Sequence, residues 1–345
     1  MNINELKQAL DIVTKNGGVP FITAQPGVGK SDSVRQFAEA KAKELELNYY
    51  EGPENYNPDG FGFIDLRLAT VDSIDLGGLP LIDRDADVTR FTRSPYIPQD
   101  GHGILFLDEL PQAKAGNQAA VSQLILDKRV GSHSLGENWN IIAAGNRAKD
   151  RAATHKMPTH IANRLTALEL DFSIEVFIEY MHEKKVDDVA IAFAKFRPEL
   201  LESFKPDQDI NCTPRSYIAA SNFITTAAEN LQFSLMAGTI GEGATAEYLG
   251  FARIWKDLPP LSEFLKIPAE ITIPTKSDVL YATIQMLAMN VTEKNADTIN
   301  IFISRLEDSP EYVIMFWTSA LKKCRKLLRN ETFRAFLKEN EDLIL

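Results

Sequence analysis

The sequence predicts an α/β fold: a parallel sheet covered by helices on both faces, followed by two helical parts. Three observations predict it. Short apolar strands alternate with helical patterns up to about residue 172. One of these strands, "GILFLDEL" at 103–110, stays apolar until two acids close it, as a strand buried on both faces would. Beyond residue 172 the strand signals fade and helical periodicity takes over.

The elements follow in order. Leu6, Ala9, Leu10 and Val13 recur at helical spacing over 5–15, and Gly17-Gly18 can end that helix. "VPFIT" (19–23) is a short buried strand, and a helix opens at Lys30 with Val34, Phe37, Ala38, Ala42 and Leu45 on one face. "LNYYEG" (47–52) and "FIDLRLA" (63–69) are strands on either side of the turn-rich "PENYNPDG". After the 103–110 strand come a helix over 113–128 and the strands "WNIIAAGN" (139–146) and "TALELDF" (166–172). Helices then run from 174 to 257, prolines cluster at 259, 260, 268 and 274, and a last helical segment starts near 276. The expected parts are therefore an α/β core (1–172), a helical lid (173–266) and a helical C-terminal extension (267–345).

Composition narrows the class. The 345 residues carry a formal net charge of −11, so there is no general electrostatic pull toward nucleic acid or anionic membrane. Only two cysteines occur, Cys212 and Cys324, with no metal-type spacing; this argues against a disulfide framework or a zinc site and suits a reducing cytosol. The N-terminal "MNINELKQAL" has no signal pattern, and the longest apolar runs, such as "YVIMFW", are far too short to span a membrane. A cytoplasmic protein is expected.

The chemistry-bearing residues begin with "AQPGVGKS" (24–31) between a strand and a helix. It matches a phosphate-binding loop except that Ala24 stands where the pattern has its first glycine. Gln25, Pro26, Gly27, Val28 and Gly29 would turn backbone N–H groups toward a phosphate. Lys30 would reach the outer phosphates and Ser31 would hold Mg²⁺, so ATP and Mg²⁺ are the expected ligands. Asp108, closing "ILFLDE", is placed to position the metal, and Glu109 to deprotonate the attacking water. Asn146 ends the next apolar strand; it contacts the γ-phosphate or the water, or else only caps the strand. Arg164 in "IANRL" and Arg215 in "CTPRSY" are suited to stabilising transferred-phosphoryl charge, although each taken alone is more often a surface residue.

The order of these motifs, phosphate loop, "LFLDE", "AAGN", "NRL" and "TPRS", resembles the AAA+ ATPases, and more narrowly the MoxR-like group with its dynein-related and chelatase-type relatives. "DLRLATVDSIDLGGLP" (65–80) and "GILFLDELPQA" (103–113) share the likeness, which covers residues 1 to about 230. It implies Walker A residues at Lys30 and Ser31, Walker B acids at Asp108 and Glu109, sensor-1 at Asn146, an arginine finger at Arg164 and sensor-2 at Arg215. It also implies a homo-hexameric ring with the ATP site between subunits, a protein client, and a partner protein carrying a von Willebrand A-type domain. Residues 81–98 resemble the family's helix-2 insert hairpin and 129–139 the hairpin before sensor-1; ordinary surface hairpins would read the same way.

Arg147, Arg151, His155 and His160 crowd the segment before Arg164, where a solvated loop is the plainer expectation. In the tail, "LKKCRKLLRN" on one helix would align Lys322, Lys326 and Arg329, a partner or nucleic-acid contact or, more simply, a solvated face. The leading expectation is Mg-ATP hydrolysis that remodels a protein client. A nucleic-acid motor or nuclease accessory is the alternative, kept open by Arg84, Arg90 and Arg93; a non-catalytic nucleotide switch is a third.

Overall fold

The computed structural model describes residues 1–147, 157–202, 204–306 and 309–339. They form two compact units. The first comprises Met1–Val176 with two short returns, Phe204–Asp209 and Thr213–Arg215; the second takes the rest of the chain from Phe177.

The first unit begins with α1 (Ile3–Lys15). It starts two residues before the apolar pattern because Asn2 and Glu5 form a capping box: Asn2 Oδ1 accepts the N–H groups of Asn4 and Glu5, and the Glu5 carboxylate accepts from the Asn2 N–H. Then come β1 (Val19–Ala24), α2 (Lys30–Glu44), β2 (Tyr49–Glu51) and β3 (Phe61–Arg67). A short α3 (Ser73–Gly77) precedes a hairpin of β4 (Pro80–Asp83) and β5 (Val88–Phe91). β6 (His102–Asp108), α4 (Ala115–Asp127), a small hairpin of β7 (Arg129–Val130) and β8 (His133–Ser134), β9 (Trp139–Asn146), α5 (Thr159–Ala162) and β10 (Leu165–Glu169) complete it. Both expected hairpins are present.

Six strands make one wholly parallel sheet in the order β10-β1-β9-β6-β3-β2. Its covering explains the unbroken apolar runs. Ile104 and Phe106 pack with Leu6 and Leu10 of α1 and Val34 and Phe37 of α2, whereas Leu105 and Leu107 pack with Leu76, Val121, Leu124 and Ile161 of α3, α4 and α5. Period-2 alternation thus sends successive residues into two different cores, and neither set meets water. Close strand packing also fixes a glycine. A Cβ on Gly103 would lie 2.4 Å from the Gly62 carbonyl oxygen and within 2.7 Å of the Trp139 ring.

The order places β9 between β1 and β6. The carboxyl ends of these three neighbours are Ala24, Asn146 and Asp108, so the phosphate loop, the amide and the acid pair share one edge of the sheet. That edge is where α/β sheets bind their ligands.

The second unit is helical. Packed aromatic rings link its earlier and later helices: Phe193 stacks on Tyr248 with centroids 4.9 Å apart, and Phe196 packs at a tilt on Tyr281 at 4.7 Å. The helices expected in a lid (173–266) and in an extension (267–345) therefore share this unit. The tail departs from the expected single helix. Helix Pro310–Lys323 stops at Cys324, whose extended backbone (φ −134°, ψ 86°) breaks the ladder, and Arg325–Arg329 forms a separate 3-10 turn. The break seats Leu327 in the core, and Lys326 and Arg329 do not continue the face of Lys322. Among the described residues no helix is long and apolar enough to cross a membrane.

Candidate active site

The phosphate loop is built as its sequence requires. Gly27 (φ +79°) and Gly29 (φ +92°) occupy the left-handed region, which other residues enter only with strain. Gly29 caps α2 without a side-chain bond, so the first N–H groups of that helix face the loop, where they favour an anion. Ala24, the departure from the usual pattern, has no positive φ and is fully buried at the end of β1. A small side chain suffices there and glycine is not needed. Gln25 and Val28 are buried, and Val28 belongs to the core under α2. Pro26, at the turn out of β1, has no N–H to offer a neighbouring strand.

Lys30 Nζ donates to Asn146 Oδ1 at 2.8 Å and to the carbonyl oxygens of Ala24 and Gln25 at 3.2 Å. The ammonium is thereby held over the loop, in register with the end of β9. Ser31 Oγ donates to Asp108 Oδ2 at 2.9 Å, and the Glu109 N–H donates to Asp108 Oδ1 at 2.8 Å. Glu109 itself has a left-handed backbone, φ +57°. A non-glycine residue in this region is strained, and such strain recurs where a side chain is aimed for function.

The donor set fits Mg²⁺. A hydroxyl and a carboxylate oxygen in direct contact are hard ligands for it, and Mg²⁺ usually takes one or two protein oxygens and leaves the rest to phosphate and water. Among the described residues no group of three or more His, Cys, Asp or Glu side chains is placed to hold a metal ion.

Three residues that the sequence left in the background belong here. Arg147 Nη2 donates to Gln25 Oε1 at 3.4 Å, and Nη1 lies 3.6 Å from Glu169 Oε1 at the end of β10. Its side chain is only 18% exposed, so it is part of the loop's surroundings and not a solvated residue. Thr213 packs on the loop, and a Cβ on Gly27 would lie 2.6 Å from its Oγ1. Asp65, on the strand beside β6, has a buried Oδ1 without a hydrogen-bond partner; burial raises its carboxyl pKa, and the charge of Asp108 adds to the rise. Its place in "DLRL", an acid inside an apolar strand, is the signal that could have drawn attention to it.

The two predicted arginines are placed differently. Arg215 is exposed and opens helix Pro214–Ser221, two residues after the Thr213 that touches Gly27. Arg164 precedes β10, whose first residue, Leu165, is level with Val19, the first residue of β1. It therefore sits at the opposite edge of the sheet from the phosphate loop. At about 3.3 Å per residue, the length of β1 puts roughly 17–20 Å between them. Its guanidinium donates to Ser122 on α4 at 3.1 Å. His160 is exposed on α5; Arg151 and His155 lie outside the described residues.

No family model and no curated protein matches this chain. Solved structures do match. NtrX from Brucella abortus is 13% identical over 90% of this chain and 67% of its own, with a TM-score of 0.41. A point mutant of RuvB from Thermotoga maritima is 14% identical over 88% and 86%, with a TM-score of 0.35. Orc1 from Aeropyrum pernix, solved with DNA, is 13% identical over 89% and 82%, with a TM-score of 0.36. These are distant likenesses. With TM-scores no higher than 0.41 they add nothing to what the side chains themselves indicate.

Proposed function

We propose that this chain is an Mg²⁺-dependent ATP hydrolase of the AAA+ type, within its MoxR-like branch, working in a homo-hexameric ring on a protein client. One observation carries the hydrolase reading. Three adjacent strand ends bring Lys30 to Asn146 at 2.8 Å and Ser31 to Asp108 at 2.9 Å, with Glu109 next in chain. Lys30 and the N–H groups of α2 bind the phosphate chain. Ser31 and Asp108 would hold Mg²⁺, which when bound draws charge from the phosphate oxygens. Glu109 takes a proton from the attacking water, and Asn146 fixes that water or the γ-phosphate. Arginine charge then stabilises the transferred group. Release of phosphate from ATP, dependent on Mg²⁺ and lost in Glu109→Gln, tests this reading; no release by the assembled wild-type chain would return it to a nucleotide switch.

Ring assembly is supported by Arg164. It stands across the sheet from its own phosphate loop, so it can serve such a loop only in a neighbouring subunit. Mass measurement with and without ATP tests the hexamer.

A protein client is supported by the β4–β5 hairpin. Leu79, Leu81, Ile82, Val88 and Phe91 are all exposed there, Ile82 by 77%. Arg84, Arg90 and Arg93 are matched in number by Asp83, Asp85 and Asp87, and Arg90 Nε is bonded to Asp83 at 2.8 Å. An apolar hairpin without net positive charge suits a protein surface better than a phosphate backbone. Capture by a Glu109→Gln protein that retains ATP would identify the client and show whether a von Willebrand A-type domain accompanies it. Stimulation of turnover by DNA or RNA would instead favour the nucleic-acid reading.

A further inference from the structure

The second unit holds a basic cluster that ATP hydrolysis does not use. Lys195, in the last turn of helix Asp188–Phe196, donates to Ser319 Oγ at 3.3 Å. Ser319 is 9% exposed on helix Pro310–Lys323, and Lys322 and Lys323 follow it at i+3 and i+4, on the same face. Lys323 Nζ lies 3.5 Å from Asp188 Oδ1, the one carboxylate in the group. His182, in the last turn of helix Ile174–Glu183, feels the charges of Lys195, Lys323 and Lys322, with Asp188 opposing them.

The cluster is electrostatically incomplete. An ammonium has three donors, yet the bond that Lys195 makes among the described residues is a long one to a neutral hydroxyl. Partial burial beside two like charges raises the free energy of its charged form, and one acid already engaged by Lys323 does not offset it. Burial first, then Lys322, opposed by Asp188 and joined by a smaller push from Lys323, bring the Lys195 pKa down to about 8. Burial and Lys195 lower that of His182 as well, which favours its neutral form. The break at Cys324 leaves Lys326 and Arg329 outside the cluster, so a basic stripe along the whole "LKKCRKLLRN" segment is not what forms. What forms is a compact site of two helices that one negatively charged group would neutralise.

We propose that the junction of helices Asp188–Phe196 and Pro310–Lys323 binds an oxyanion, held by Lys195, Lys322 and Lys323 with the Ser319 hydroxyl donating to it. A small inorganic anion and the carboxylates of an acidic peptide supply the same chemistry. The site is independent of the nucleotide reading.

The test uses the full chain carrying Lys30→Ala, so that the phosphate loop does not take the probe. Sulfate, and in a second arm a hexaglutamate peptide, is titrated by calorimetry at fixed ionic strength. Both keep their charge between pH 7 and pH 9. Saturable binding of at least one is expected at pH 7, and binding of sulfate or only of the peptide tells which source the site accepts. Lys195→Met should weaken binding roughly tenfold or more, the effect of losing a charge-assisted bond. Lys322→Gln should weaken it several-fold. Because Lys195 loses its proton near pH 8, affinity should fall from pH 7 to pH 9 in the parent and stay level in Lys195→Met. An unchanged melting temperature for Lys195→Met separates loss of the site from loss of the fold; if that variant melts early, the Lys322→Gln titration decides. Absence of binding of both probes, or binding indifferent to both substitutions, overturns the proposal.

Discussion

Lys30 and Asn146, 116 residues apart in sequence, meet at 2.8 Å across the edge of the sheet. The contact holds the ammonium over the loop and the amide beside it, and under the proposed function both would face the bound phosphates. We predict that Lys30→Ala weakens binding of a fluorescent ATP analogue with Mg²⁺ strongly. Asn146→Ala should leave binding within a few-fold and lower turnover. Unchanged affinity in Lys30→Ala would sink the phosphate-loop assignment.

Glu109 is the candidate base, held in a strained backbone next to Asp108. Glu109→Gln keeps the size and hydrogen bonding but cannot accept the proton. ATP should bind as before while steady-state turnover falls by about 10²–10⁴. Turnover that survives within a factor of about two would place the base elsewhere.

Arg164 acts, in this reading, on a neighbour. The Arg164→Ala protein should bind ATP normally, since its own loop and Asp108 are intact, and hydrolyse it slowly, by a factor of order 10³–10⁵. Mixing it with Lys30→Ala subunits should restore part of the activity, because some interfaces then pair an intact loop with an intact Arg164. A titration of each variant into wild type distinguishes a trans role from a need for many coordinated sites. No recovery in mixed rings of confirmed mass would count against the trans role.

Gly27 is constrained twice, by φ +79° and by Thr213, which a Cβ would approach to 2.6 Å. Gly27→Ala should therefore lose nucleotide affinity with little loss of melting temperature, because the strain is local to the loop. Gly103→Ala should behave in the opposite way. Its Cβ would meet the Gly62 carbonyl at 2.4 Å, in the middle of the sheet, and neither backbone can yield cheaply. We expect destabilisation of about 1–3 kcal/mol in urea unfolding. Equal effects of the two substitutions on stability would contradict this division.

The local chemistry is legible along the chain: a loop between strand and helix, a strand closed by Asp108 and Glu109, and a strand closed by Asn146. It is legible because the groups that act together are neighbours in sequence, and period-2 burial on both faces leaves an unbroken apolar run. The capping box at Asn2 and Glu5 is equally local and could have set the start of the first helix. Whatever depends on strand order came from the packed fold instead. Packing put β9 between β1 and β6, which joins Lys30 to Asn146, and it carried Arg164 to the far edge of the sheet. It brought Thr213 onto Gly27, tied Arg147 to Gln25 and Glu169, and broke the tail helix at Cys324. No residue type or spacing encodes these contacts. They follow from which buried surfaces fit together once the strands have paired, and that is a property of the packed chain as a whole.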